Sequence, residues 1–441
     1  MIKGFYTQVL KILIEYIEDL ISNTIGKFMM KGCMKEMKKK VLAFAAAAML
    51  MAPQMVGAEG FAIYEWSAEG LAMGGARMFA ENDAANLAYN PASITKVKGE
   101  AFKVSATYLS PHGKYDLEGS AIENSGHNRV HPAWAPGMYY VKQMNDKEWF
   151  GMGTYSRFGM VSQFERNSAA GTNAFSSKLN GISLGMNYAH KFDKKWAGSV
   201  GAEINYVGLQ LDKNAVGMRP VHIEGDTYAL GWNAAANYTF DDKNEMGVVY
   251  RSKIKHSMEA DYDYHPGDVH GSAYGVVTLP ESIDIGYNHK FNDRTRIEAR
   301  YTWTRWERYD ALNMSFDPYL FGMFSVVPQV KNWSNGQRYA IGLEHKFSEK
   351  YSGMLGWAFD KSSIPYEGGD FMIPTGTRTT YGIGAQYHDK KQTLAFSLAW
   401  MNVGSLDFMG HVPPTGTDLF TKAHTRDSYT KIASISYQRN F

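Results

Sequence analysis

From about residue 100 to the C-terminus, apolar and polar side chains alternate with a period of two. Ile182, Leu184, Met186, Tyr188 and Phe192 interleave with Ser183, Gly185, Asn187, Ala189 and Lys191. Leu394, Phe396, Leu398 and Trp400 interleave with Thr393, Ala395, Ser397 and Ala399. Successive side chains of a strand point to opposite faces, so each segment has one face suited to hydrocarbon and one suited to water. A soluble sandwich alternates too, but it turns its apolar face inward and seldom sets so many aromatics at strand ends. The pattern predicts an all-β chain whose greasy faces look out toward lipid.

Short polar turns punctuate the alternation at Asn145-Asp146-Lys147, Asp193-Lys194-Lys195, Asp241-Asp242-Lys243-Asn244, Asn292-Asp293, Ser348-Glu349-Lys350 and His388-Asp389-Lys390-Lys391. They recur about every fifty residues, enough for two tilted strands of about 9–11 residues or more and one longer loop. Six turns join six hairpins; a strand before them, near Glu100–Ser110, and one after, Ser428–Phe441, bring the total to fourteen. An even, closed antiparallel set leaves no unpaired edge in lipid. The predicted fold is a 14-stranded antiparallel transmembrane β-barrel over residues 100–441.

Composition narrows the alternatives. The 46 basic and 44 acidic side chains leave a formal charge of +2, which gives no footprint for nucleic acid. A mean hydropathy of −0.35 is too polar for a bundle of spanning helices. At the amino terminus, Lys38, Lys39 and Lys40 precede an apolar run from Val41 to Ala52, and Val56-Gly57-Ala58 supplies the small residues of a cleavage site. This reads as a secretory signal peptide over residues 37–58, so the mature chain begins near Glu59 and loses Cys33, its single cysteine. Residues 1–36 read as an upstream extension or a mis-assigned start, with Met37 or Met34 as initiator; an amphipathic anchor is the alternative. No cofactor and no metal site is expected.

Between residues 59 and 99 the alternation vanishes. Gly60, Gly70, Gly74, Gly75 and Ala84-Ala85 make a compact small-residue stretch ending in Asn90-Pro91-Ala92. Fourteen strands enclose more space than their own side chains fill, so this segment is expected inside the lumen as a hatch. Three strands end alike, in His190-Lys191-Phe192, His289-Lys290-Phe291 and His345-Lys346-Phe347, which reads as an interfacial girdle of Phe with snorkelling Lys. Gly181-Ile182-Ser183-Leu184-Gly185 matches a nucleophile-elbow pattern but lies inside unbroken alternation, so the chain is not expected to be an enzyme. Asp261, Asp263, His265, Asp268 and His270 crowd one outer loop, a solvated acidic loop or a divalent-ion site.

Gly60-Phe61, the Gly70–Gly75 cluster, Asp83-Ala84-Ala85-Asn86 and Asn90-Pro91-Ala92 resemble the luminal hatch of the FadL-type outer-membrane transporters of long-chain fatty acids and other hydrophobic compounds. Gly231-Trp232-Asn233, Tyr250-Arg251-Ser252-Lys253, Leu279-Pro280, Trp303-Thr304-Arg305-Trp306 and Ile373-Pro374 before Arg378 extend the resemblance, in order, over nearly all of the mature chain. The resemblance implies gated passive diffusion of hydrophobic small molecules, foremost long-chain fatty acids, through a hatch-plugged barrel with a sideways exit where the third strand is kinked. Phe61, Asn90, Pro91 and Ala92 would belong to the hatch, and Gly151, Gly153, Ser156 and Gly159 to the strand at the gate, where glycines permit a bend.

A buried carboxylate needs a cation or several donors. By parity Arg251 and Lys253 share the luminal face, as does Arg300, and these three are the expected carboxylate-binding groups; a wall ladder with Glu203, Glu298 and Glu344 is the competing reading. At the positions aligned with the family's basic ligand groups this chain has Gly208 and Ser334. The loop Asp310–Lys331 carries Phe316, Leu320, Phe321 and Phe324 where a solvated loop would be polar, and is expected to capture ligand at the outer surface. Gly404–Arg426 adds Leu406, Phe408, Met409, Leu419 and Phe420, as a second capture surface or a lid. The expected partners are a hydrophobic ligand, outer-membrane lipid and lipopolysaccharide around a monomer, and the barrel-assembly machinery, for which the terminal Phe441 resembles the bacterial signal. A porin for polar solutes, an outer-membrane lipid hydrolase and an adhesin or structural barrel remain alternatives.

Overall fold

The computed structural model describes residues 60–215, 218–264, 269–309, 311–320, 324–411 and 418–441. The expected leader, the segment before it, Cys33, His265, Asp268 and Phe321 lie outside them. Fourteen antiparallel wall strands follow one another: β1 (Glu100–Glu118), β2 (Ala133–Gln143), β3 in two pieces (Glu148–Tyr155 and Gly159–Gln163), β4 (Ser176–Lys191), β5 (Trp196–Ala215), β6 (Arg219–Thr239) and β7 (Asn244–Arg251 and Ile254–Tyr264). They continue through β8 (Val269–Leu279 and Ser282–Lys290), β9 (Thr295–Thr304 and Ala311–Leu320), β10 (Phe324–Val330 and Gly336–Lys346), β11 (Tyr351–Lys361), β12 (Arg378–His388), β13 (Gln392–Val403) and β14 (Lys422–Asn440). β1 pairs with β14 from Ala101↔Asn440 to Glu118↔Lys422, and that ladder closes the barrel.

All six tight turns use one device. The side-chain oxygen of Asn145, Asp193, Asp241, Asn292, Ser348 or Asp389 accepts the backbone N–H two residues on, at 2.7–3.2 Å. Five of them also accept the N–H three residues on. Short polar side chains that bond their own backbone reverse the chain without any tertiary support. Between turns, Leu230, Trp232, Ile341, Tyr381, Ile383, Phe396 and Leu398 are exposed on the outer surface. Asn233, Arg338, Thr380 and Ser397, of opposite parity, are buried toward the lumen. A soluble core would have the reverse arrangement.

Two features correct the expected pattern. Phe192, Phe291 and Phe347 are exposed at the short-turn rim, with the rings of His190, His289 and His345 at 5.0, 4.8 and 4.9 Å. The lysines between them have the opposite parity and do not snorkel beside the rings; Lys290 reaches Glu81, at 3.3 Å, below the lumen. On the other side of the membrane, the described parts of the Asp310–Lys331 stretch, read as a loop, are strand extensions, as are those beyond β5 and β6. β5 runs on to Ala215 and β6 begins at Arg219, while Ala311–Leu320 of β9 pairs with Phe324–Val330 of β10. Asp261 and Asp263 lie in β7 and His270 in β8, with His270 against Asp263, and no metal-holding group occurs among the described residues.

Candidate functional site

The lumen has two storeys, and β5 shows why. Its inward side chains are Glu203 and Asn205 at mid-height, then Val207 and Leu211 toward the outer end, all buried. Its outward positions change the other way, from Val200 to Gln210 and Asp212. The inversion marks where the wall leaves hydrocarbon: above that level water wets the outside and apolar side chains must turn inward. Leu179, Leu209, Leu211, Val277, Leu312 and Ile373 close around an apolar chamber with two hollows of about 20 Å³ each. Phe61 forms its floor, edge-on to Trp306 at 4.7 Å, Tyr309 at 5.5 Å and Phe158 at 5.9 Å.

Residues 60–99 fill the storey below. Two short helices, α1 (Ala68–Ala72) and α2 (Asn86–Tyr89), and a 3-10 turn, Pro91–Lys96, supply too few internal hydrogen bonds to stand alone. The wall supplies the rest. Asn90 caps the turn by accepting from Ala92 N at 3.2 Å, and its Nδ2 donates to Asn237 Oδ1 on β6 at 2.7 Å. Asn237 Nδ2 donates to Ser93 Oγ at 2.9 Å. Pro91 occupies the first turn position, where its missing N–H costs nothing, and Ala92 packs with Met78, Phe79 and Val249. Lys103 on β1 bridges Glu69 and Asp83 at 2.8 Å each, and Arg77 bridges Asp83 and Glu344 at 3.1 Å each. Buried charges persist only when paired and hydrogen-bonded, so these pairs fix the register of hatch on wall.

Arg251 and Arg300 serve the same end. Asp284 on β8 lies 2.7 Å from each guanidinium and also accepts from Thr302 at 2.6 Å. The two arginines donate in turn to hatch carbonyls, Arg251 to Ala88 and Arg300 to Gly75. Both are buried and charge-compensated, which opposes their expected role as receivers of a ligand carboxylate. Lys253 is exposed. The register of β6 against β7 passes from Asn233↔Arg251 to Gly225↔Ala260, one residue out of step. Ser252 N donates to Trp232 O and Trp232 N to Ser252 Oγ, at 2.9 Å each. This β-bulge inverts the parity after Arg251, so Lys253 shares the outer face with Lys255.

A second bulge sits in β3. Tyr155 pairs with Ser183 and Gly159 with Asn180, so Ser156, Arg157 and Phe158 oppose only Gly181 and Ile182. The extra residue is thrown inward over Gly181, where a Cβ would collide with the Phe158 carbonyl oxygen. β2–β3 pairing stops at Met138↔Thr154, and beyond it β2 pairs with β1 and β3 with β4, which leaves a gap in the wall. The hatch takes up the freed backbone groups. Trp66 Nε1 donates to Ser156 O at 2.6 Å, Ile63 N to Arg157 O at 2.8 Å, and Gly159 N to Phe61 O at 2.8 Å. Of the four residues expected at the gate strand, Ser156 and Gly159 adjoin this bulge. Gly151 and Gly153 sit in regular pairing and make room for Leu87 of the hatch, 2.8 and 2.6 Å from where their Cβ atoms would lie.

At the outer mouth Phe371 is fully buried, with Tyr115, Phe164, Phe408 and Phe420 edge-on at 4.8–5.7 Å. A cavity of about 100 Å³ beside it is lined by Gly60, Met160, Ile373 and Arg378. Phe408 and Phe420, from the two described ends of the Gly404–Arg426 stretch, thus pack inward on Phe371, while Met409 and Leu419 are exposed. Phe316 is buried 5.2 Å from Tyr262 and, like Leu312 and Met314, faces inward, so it lines the interior and not an exposed capture patch. The side chains of Leu320 and Phe324 lie outside the described residues. Ser183 donates to Glu203 at 3.0 Å and accepts from Asn205 at 2.9 Å, with no histidine among its hydrogen-bond partners.

A closed fourteen-stranded barrel with an internal N-terminal plug and an apolar upper chamber is a narrow class. Residues 49–408 match the model of the outer membrane protein transport family OMPP1/FadL/TodX. The chain belongs to this family. It is 25% identical over 395 residues to a long-chain fatty acid transport protein of Escherichia coli O6:H1, covering 78% of this chain and 86% of that one. It is 26% identical over 414 residues to outer membrane protein P1 of Haemophilus influenzae, covering 80% and 87%. Among solved structures, a Pseudomonas aeruginosa FadL homologue superposes with a TM-score of 0.76 at 19% identity, over 87% of this chain and 100% of that one. The Pseudomonas putida toluene transporter TodX gives 0.65 at 16%, over 86% and 99%. Outer-membrane transport of hydrophobic compounds follows for this chain at the level of the family, whose named relatives include a long-chain fatty acid transport protein and a toluene transporter.

Sequence reasoning missed the residues that hold the site together. Trp66, Asn237, Asp284 and Phe371 carried no local signal, since each acts through contacts distant in the chain. Gly181 was visible only as the first residue of the Gly181-Ile182-Ser183-Leu184-Gly185 pattern, which lies inside β4.

Proposed function

We propose that this chain passes hydrophobic small molecules, long-chain fatty acids among them, inward by gated passive diffusion. Ligand enters past Phe371, rests in the apolar chamber over Phe61, and leaves sideways through the gap between β2 and β3 when the hatch segment 61–63 withdraws. The observation that carries the reading is that segment's pairing with the kink: the hydrogen bonds of Ile63 and Phe61 take up backbone that would otherwise be bare at a lipid-facing opening. Each buried methylene contributes about 0.8 kcal/mol, so the chamber draws an aliphatic or aromatic body out of water while forming no directional bond that would delay release. A polar-solute porin needs an open aqueous lumen, and the charge-paired hatch occupies it.

The test is a switchable bond. Ala62 and Phe158 face each other across the bridge between hatch and kink, a geometry that accepts a disulfide. In Ala62→Cys/Phe158→Cys, oxidation is expected to abolish uptake of radiolabelled oleate and of toluene, and a reductant to restore both. Equal uptake by the oxidised and reduced forms would rule out the gated lateral route.

A further inference from the structure

The kink has several ties to the hatch but, among the described residues, one ion pair with the wall. Arg157 reaches across β4 to β5, where its Nη1 lies 3.1 Å from Glu203 Oε1. Both are buried, at 4% and 0% side-chain exposure. Glu203 is itself fixed by a chain of hydrogen bonds through three strands. Ser183 on β4 donates to the same oxygen at 3.0 Å, Asn205 Nδ2 on β5 donates to Ser183 Oγ at 2.9 Å, and His256 on β7 bonds Asn205 Oδ1 at 2.8 Å. The Phe158 ring lies 5.2 Å from the Arg157 guanidinium. Among the described residues Glu203 forms no other ion pair, and its Oε2 has no hydrogen-bond partner.

We propose that Glu203 is a positioning residue for transport: through Arg157 it draws the extruded turn of β3 down onto β4 and β5, and so sets the closed position of the gap. The inference rests on the lateral route proposed above. The backbone of residues 156–158 has lost its wall partners, so strand pairing no longer decides how far the turn stands from the sheet. A buried ion pair does so sharply, because either charge left alone must find water or another partner. With Glu203 neutral, Arg157 must turn to water or another partner within the lumen, and the turn that carries it, with Ser156 and Phe158, leaves its seat on β4 and β5. The brace opposes the hatch: Ile63 and Trp66 hold the kink from above, Glu203 from the side.

The expected mature chain has no cysteine, so one introduced thiol reports on the kink. Ser156→Cys is expected to react slowly with a maleimide in the parent barrel, since Ser156 is buried. Adding Glu203→Gln is expected to raise the rate by about tenfold or more, within what loss of a buried pair allows. The charge swap Arg157→Glu/Glu203→Arg in the same background is expected to bring the rate back toward the parent value. Each barrel is first shown to be folded by its heat-dependent shift on a denaturing gel. A folded Glu203→Gln barrel labelled at the parent rate, or a swap no better than the single change, would overturn the proposal. Oleate uptake is measured on the same variants. Faster labelling with unchanged uptake would keep the brace and refute the lateral route, so the two failures are separable.

Discussion

Gly181→Ala tests the kink with a single methyl group. Gly181 faces the lumen directly beneath the extruded turn, and a Cβ there collides with the Phe158 carbonyl oxygen and lies 3.3 Å from its carbonyl carbon. The obstacle is backbone, so relief requires the turn to lift away from β4. Two hydrogen bonds flank the collision, Ile63 N to Arg157 O and Gly159 N to Phe61 O, both 2.8 Å. At about 0.5–1.5 kcal/mol net for each, losing both weakens the closed state by about 1–3 kcal/mol. That corresponds to a rise of roughly 5- to 150-fold in the open-to-closed ratio. Hydrogen–deuterium exchange in nanodiscs reads it directly, because the amides of Ile63 and Gly159 are the donors concerned, and their protection is expected to fall by that factor. Gly275→Ala is the control, since its added methyl meets nothing nearer than 3.4 Å. Unchanged protection of both amides in Gly181→Ala would refute the account of how the kink is held.

Asp284→Ala leaves Arg251 and Arg300 buried without their carboxylate, a loss of about 3–5 kcal/mol for a broken buried pair. The hatch should loosen, and planar-bilayer conductance, low in the parent, should rise; conductance equal to the parent would show that the arginines do not secure it. Phe371→Ala removes the ring on which Tyr115, Phe164, Phe408 and Phe420 converge, and should raise the initial rate of ligand entry several-fold at limiting ligand. An unaltered initial rate would place the outer barrier elsewhere. On the outer face of the β5–β6 extension, burial pulls the pKa of His222 down, but the hydrogen bond and charge of Asp212, with those of Glu224, outweigh it and raise it. A raised histidine pKa stabilises the fold below its unfolded value, about 6.5, and that contribution fades as pH climbs through the folded value. Resistance of this hairpin to limited proteolysis should therefore fall as pH rises through that window, and His222→Gln should abolish the dependence. A pH profile identical in the variant would dismiss the pair as the cause.

Strand number and turn positions were legible in the chain alone, because the forces that produce them are local. A period of two needs only neighbouring residues, an Asp or Asn that bonds the next two amides makes its turn wherever it stands, and the loss of alternation over residues 59–99 is visible without a partner. The elements of the proposed transport path were legible only as segments. Each bulge adds one residue and inverts every facing beyond it, so Lys253, placed inside by counting, lies outside, and within the segment 151–159 it is Ser156–Phe158, not Gly151 or Gly153, that leaves the regular pairing. The fate of the buried charges was hidden for a related reason: whether Arg251 and Arg300 await a ligand or hold the hatch depends on Asp284, which pairing brings to them across the sheet. Local patterning decided that this chain closes into a plugged barrel. Only the tertiary structure decided where the wall is left open, because register and ion pairing join residues that the sequence keeps far apart.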